Sequence, residues 1–220
     1  INGAAMSFFN IRIPGLPMTV ISADGQDVRP VEVDEFQIGN AETYDVIVEP
    51  TGGDAFAIIA EAMDRSGMAI AMLASQPGAR SRLPELRDPP LLTMADMGMS
   101  HGSSGTGMDH GSMDHGASSG GEAMGAMNMR DTSLLPPSVA VGPGVDMVSM
   151  NPVDRMGDPG IGLDNVDHSV LNYRQLVAAK MNSDMRQPSR LKEIHLTGNM
   201  ERYMWSFDGK KLSAVTDDPI

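Results

Sequence analysis

Between Met94 and Met129 the chain carries eight methionines and three histidines, and no Leu, Ile, Val or aromatic residue. A thioether there has nothing apolar to pack against. Such a stretch cannot bury enough surface to offset the ordering of its backbone, so it is expected to be a disordered insertion. Whatever core this chain builds must therefore come from the residues before and after it.

The insertion has its own chemistry. Thioethers are soft and polarizable and imidazole is borderline, a combination that suits copper and above all Cu(I). Met-Asp-His-Gly occurs twice, at Met108–Gly111 and Met113–Gly116, which places Met108, His110, Met113 and His115 in a five-residue repeat. Upstream, Met94, Met97, Met99 and His101 fall within eight residues, and Met124, Met127 and Met129 follow downstream. A Gly/Ser backbone lets two or three thioethers and an imidazole close around one ion without a preformed cage. Asp109 and Asp114 add oxygen donors for Cu(II) or raise the local cation concentration. These eleven Met and His residues are the candidate metal ligands. A Met-rich low-complexity linker is the plainer reading, and zinc or nickel on the histidines alone is another. A helix with a methionine stripe fits less well, because Gly and Ser break the period.

Composition narrows the rest. The net charge of −13 disfavours nucleic acid and anionic membrane as partners, since both are polyanions. No apolar run approaches the roughly 18 residues of a membrane-spanning helix. There is no cysteine, which excludes disulfides, Cys-ligated zinc, thiol catalysis and any blue-copper site within these residues. The chain opens on Ile1-Asn2-Gly3 rather than Met and closes on Thr216-Asp217-Asp218-Pro219-Ile220, and is read as an internal fragment.

Residues 6–73 read as short strands. Phe9, Ile11 and Ile13 alternate with Phe8, Asn10 and Arg12 as in a half-buried strand. Leu16, Met18 and Val20 repeat the pattern before an Ala23-Asp24-Gly25-Gln26 turn. Val31 and Val33, Phe36 and Ile38, Tyr44 to Val48, Phe56–Ala60 and Met68–Leu73 continue it. Short strands with regular turns predict an all-β, Greek-key sandwich or barrel. Asn172 as N-cap with Gln175 three residues on predicts a short helix through Leu176 and Val177. Leu191–Thr197 resumes strand alternation. Tyr203, Trp205 and Phe207 share one face of a strand that ends in an Asp208-Gly209 turn.

Other chemistry is thin. His195 lies in a strand pattern and reads as a structural or surface histidine, and His168 reads as solvated rather than a ligand. Met200 and Met204 flank an aromatic strand and read as core. Asp34, Glu35, Glu42, Asp45 and Glu49 read as solvated strand faces and turns rather than a catalytic pair. No nucleotide-binding glycine motif, hydrolase nucleophile elbow or His-x-His pair is present.

Several of these segments carry a resemblance. Ile1-Asn2-Gly3-Ala4, Ala23-Asp24-Gly25-Gln26 and Ala41-Glu42-Thr43-Tyr44-Asp45-Val46-Ile47-Val48 resemble the second cupredoxin domain of the multicopper oxidases. Ile13-Pro14-Gly15-Leu16, Met63-Asp64-Arg65-Ser66-Gly67, Asp158-Pro159-Gly160-Ile161-Gly162-Leu163 and the stretch from His195 to Gly209 resemble one branch in particular, the bacterial copper-resistance proteins of the CopA (PcoA) type. With the Met/His run in the matching place, the resemblance extends over essentially the whole chain.

The resemblance implies a cupredoxin-like fold and copper, Cu(I) or Cu(II), as cofactor. It implies a periplasmic enzyme that oxidises Cu(I) or phenolic compounds and reduces dioxygen to water. The expected organisation is a second cupredoxin domain over 1–75, a connector over 76–93, the copper-binding insertion over 94–129, an extended crossing with a short helix over 130–187, and the first strands of a third cupredoxin domain over 188–220. The family's His-x-His pairs and Cys-centred motif are absent, so no blue-copper or trinuclear ligand is carried over, and this segment alone is expected to be inactive. Expected partners are copper ions, the remaining cupredoxin domains and periplasmic copper-handling proteins. A non-catalytic copper chaperone or sponge on a cupredoxin scaffold is the competing reading, and an inert linker on a structural sandwich is a third. The encoding sequence beyond Ile220 discriminates among them.

Overall fold

A computed structural model describes residues 1–52, 55–93, 96, 132–145, 153–199 and 201–214. Nine strands occur among them: β1 Phe9–Arg12, β2 Met18–Ala23, β3 Gln26–Val33, β4 Glu35–Ile38, β5 Tyr44–Ile47, β6 Ala55–Ala62, β7 Met68–Ala74, β8 Leu196–Asn199 and β9 Met204–Phe207. The described helical segments are single 3-10 turns at Thr132–Leu134, Tyr173–Gln175 and Leu212–Ala214. The all-β expectation holds. The chain falls into two compact units, Ile1–Leu92 with Asp154–Arg186, and Thr93–Val153 with Gln187–Ile220.

The first unit is a sandwich of two antiparallel sheets, ordered β4-β1-β6-β7 and β3-β2-β5. Period-2 alternation puts Met18 and Val20 of β2 and Phe36 and Ile38 of β4 into one shared core. Val28 and Val33 of β3 differ in parity and both reach it because the pairing with β2 shifts register between Val20 and Ser22. Ile13, Leu16 and Leu171 join it from outside the strands, and the Phe36 and Tyr44 rings lie 4.9 Å apart. β2 passes to β3 through Asp24 (φ 48°) and Gly25 (φ 74°), both left-handed as a two-residue type I′ hairpin requires.

Alternation alone suggests that the other face of the four-stranded sheet meets water. It does not. Asn10, Glu35 and Glu61 on that face are fully buried, as is Ile59. The cover consists of chain before and after the insertion: residues 79–92 cross it, and residues 160–168 return over it, with Leu163 buried. The returning chain then closes two sheet edges. Val170 bridges Glu35 in parallel, with Leu171 N–H donating to the Glu35 carbonyl at 3.0 Å. Ala178 bridges Val28, with Arg29 N–H donating to the Val177 carbonyl at 2.8 Å. That pairing limits the predicted helix at Asn172 to the 3-10 turn Tyr173–Gln175, because Val177 is already committed to β3. Gln175 Oε1 does accept from Asn172 N–H, at 2.8 Å, as the capping pattern anticipates.

In the second unit β8 and β9 form a hairpin. Its polar face, with Asn199 and Ser206, holds residues 139–145: Asn199 Nδ2 donates to the Pro143 carbonyl and Ser206 Oγ to the Gly144 carbonyl, each at 3.0 Å. The predicted strand from Leu191 starts only at Leu196. Tyr203 is not in the strand with Trp205 and Phe207 but in the preceding turn, at φ 48°. The Asp208-Gly209 turn forms as expected, with both residues at positive φ.

Candidate metal centre and the anchoring of its flanks

The eleven candidate ligands, Met94, Met97, Met99, His101, Met108, His110, Met113, His115, Met124, Met127 and Met129, lie outside the described residues, as does Met200. Among the described residues no group of three His, Asp or Glu side chains is placed to hold a metal ion, and the chain has no cysteine. The described residues therefore do not fit a copper centre. The His195 ring meets the exposed Glu193 at 3.1 Å, and its backbone N–H donates to Asp208 Oδ1 at 2.9 Å.

The structure instead reveals how the flanks are fixed. Arg87, from the connector, is the centre of a buried charge cluster on the outer face of the four-stranded sheet. Its Nη1 and Nη2 donate to the two carboxylate oxygens of Glu35 at 3.0 and 2.6 Å. Its Nε donates to Glu61 Oε2 at 2.6 Å, and its backbone N–H to Glu61 Oε1 at 3.0 Å. Forked, charge-assisted pairing of this kind is the strongest a guanidinium makes. From the other flank His168 Nε2 meets Glu35 Oε2 at 2.6 Å. His168 is thus paired rather than solvated, and Glu35 is buried rather than on a wet strand face. The misreading has one cause: β4 alternation gives the side of the sheet, not what lies on it.

Arg65 completes the cluster. It is buried, at φ 63°, lies 3.6 Å from Glu61, and donates through Nη2 to the Gly162 carbonyl at 3.2 Å. Gly162 sits at φ 78° where a Cβ would come within 2.8 Å of the Pro90 ring. The outgoing and returning flanks therefore touch there, and only glycine fits. Nearby, Asp34 accepts from the Ser169 hydroxyl at 2.7 Å and amide at 3.0 Å.

Electrostatics follow from these contacts. Burial pushes the Glu61 carboxyl up, but hydrogen bonds from the Arg87 amide and guanidinium, with the charges of Arg87 and Arg65, outweigh it and hold the group below its ordinary value. The Ser169 hydroxyl and amide likewise hold Asp34 low. A carboxylate with a depressed folded pKa contributes stability that is complete above its unfolded pKa and is lost as pH falls through the folded value. We expect the urea midpoint to fall as pH drops below about 5, and the fall to be shallower in Glu61→Gln. An equally steep fall in that variant would remove Glu61 from the account. The Tyr173 hydroxyl donates to Glu42, and burial with that carboxylate pushes the phenol up to about 12.

Comparison with known proteins gives the cluster and the run a context. A family model described as multicopper oxidase matches residues 1–78. A copper resistance protein A homolog of Pseudomonas syringae pv. tomato is 45% identical over 231 residues, covering 97% of this chain and 38% of that protein. Copper resistance protein A of Escherichia coli is 44% identical over 246 residues, covering 97% of this chain and 40% of that protein. Among solved structures, Fet3p, a multicopper oxidase that functions in iron import, is similar at 21% identity and a TM-score of 0.35, over 40% of this chain and 19% of that one. The chain spans about two fifths of the length of the copper resistance relatives. Copper is the cofactor of the family these matches define. The chain belongs to the multicopper oxidases, in their copper-resistance protein A branch.

Proposed function

We propose that this chain is the middle segment of a periplasmic copper-resistance oxidase that oxidises Cu(I) or phenolic substrates and reduces dioxygen to water. Its own contributions are scaffold and a copper-collecting run. Residues 1–75 are the second cupredoxin domain, 76–93 the connector, 94–129 the insertion, 130–187 the crossing and 188–220 the start of the third domain. The exposed apolar face of the β8–β9 hairpin, with Leu196, Trp205 and Phe207, supports the last assignment, since a lone hairpin presents half of a sandwich core.

The observation that carries the reading is the pairing of a Met/His run, empty of core residues, with flanks that are both fixed at Glu35. The run is thereby tethered at both ends to a folded scaffold. Its copper is cargo: single thioethers hold Cu(I) weakly, and many equivalent ligands favour exchange and handover to copper-handling partners over permanent storage.

The test is a competition titration of the chain against a Cu(I) chelator. The native chain is expected to take up several equivalents, and a variant with Leu at Met94, Met97, Met99, Met108, Met113, Met124, Met127 and Met129 to take up almost none. Equal uptake by the two removes the proposal.

A further inference from the structure

The connector is held to the sandwich in an unusual way. Among the described residues the apolar core takes none from 76–92. Leu83, Leu86, Leu91 and Leu92 are exposed, and residues 79–92 form no strand or helix. What seats this segment is Arg87, which makes four hydrogen bonds to Glu35 and Glu61, with Pro90 packed against Gly162. One residue thus does for this strap what a row of apolar contacts does for an ordinary element.

We infer that residues 79–92 are a detachable strap with Arg87 as its plug, released as a unit by acid while the sandwich beneath stays folded. The charges facing the plug set the trigger. Glu35 faces Arg87 and His168, and His168 also meets Asp167. Glu61 faces Arg87 and Arg65, and Arg65 also feels the charge of Arg12 on β1. Asp34 is engaged by Ser169 and senses His168. With Glu61 ionised, its carboxylate lies between the Arg87 and Arg65 guanidinium groups. With Glu61 protonated, those two cations face each other across a neutral carboxyl, and the mobile member leaves. The core strands are not drawn out with it, because the core shared by the two sheets lies on the opposite face of this sheet. Extended, the freed strap adds up to about 50 Å of tether to whatever follows Leu92.

The absence of cysteine makes the test direct. A nitroxide on Leu83→Cys reports strap mobility in the full chain, and far-UV circular dichroism reports the strands. At neutral pH the label is expected to be restricted. On acidification its correlation time is expected to shorten by roughly threefold or more, before strand signal is lost. Arg87→Gln is expected to give the mobile spectrum already at neutral pH. Should that variant fail to fold, Glu61→Gln decides, and is expected to move release to higher pH. The inference is overturned if the label loosens only together with the strand signal. It is equally overturned if Arg87→Gln stays restricted at neutral pH, or if Glu61→Gln releases at the wild-type pH.

Discussion

Phe36→Ala is expected to lower the unfolding free energy of the sandwich by about 3–5 kcal/mol, the usual cost of emptying a buried phenylalanine site. Phe36 is 4% exposed, and it belongs to the one core that both sheets share. Its ring stands against Tyr44 of the other sheet, so truncation opens a void between the layers rather than at an edge. Neighbours Glu35 and Gln37 point to the opposite face and cannot fill that void. Against a total stability of about 5–15 kcal/mol, such a loss takes a large share of the folded margin. Urea unfolding followed by far-UV circular dichroism reads it. Phe36→Leu, which keeps most of the volume, is expected to cost less than about 1.5 kcal/mol. Similar midpoints for Phe36→Ala and wild type would mean that the two sheets do not meet at this ring.

Gly209→Ala is the second large effect, and Gly25→Ala is its control. Both glycines follow an aspartate in a two-residue turn, at φ 77° and 74°. A left-handed alanine costs about 1–2 kcal/mol in either place. At Gly25 nothing lies within 4 Å of the added Cβ, so that cost is the whole effect. At Gly209 the Cβ would stand 1.9 Å from the carbonyl oxygen of Ala140. Backbone must move, and with it the bond from Ala140 N–H to the Asp208 carbonyl. The β8–β9 hairpin is therefore expected to lose its hold on residues 139–145. Trp205, the one tryptophan, sits in that hairpin and reports its transition by fluorescence. If Gly209→Ala proves no more costly than Gly25→Ala, the close approach to Ala140 is not real.

The strands were legible because period-2 alternation and Asp-Gly turns are local signals. Phe9 with Ile11, and Phe36 with Ile38, share a face whatever lies elsewhere. The buried charge layer was not legible, because it depends on partners far along the chain. Nothing local to β4 announces that Glu35 will meet a histidine 133 residues away. Glu61 gave a faint signal, as an acid amid the alanines and isoleucines of β6, where a buried carboxylate must be paired. The helix expected after Asn172 forms as a capped 3-10 turn but is cut short for the same reason: the cap is local, but the pairing of Val177–Ala179 with β3 is not. The candidate ligands stand on residue chemistry and repetition alone, since they lie outside the described residues.

The edge closure by residues 169–179 bears on how this family can vary. The first unit is built from Ile1–Leu92 and Asp154–Arg186, so it already tolerates the long excursion between Leu92 and Asp154. Loop-closure entropy grows only logarithmically, about 0.6 kcal/mol for each doubling. Lengthening or trimming the Met/His run therefore changes the scaffold's stability very little. The length of the run, and with it the number of methionines and histidines it carries, is left almost unconstrained by the stability of the sandwich.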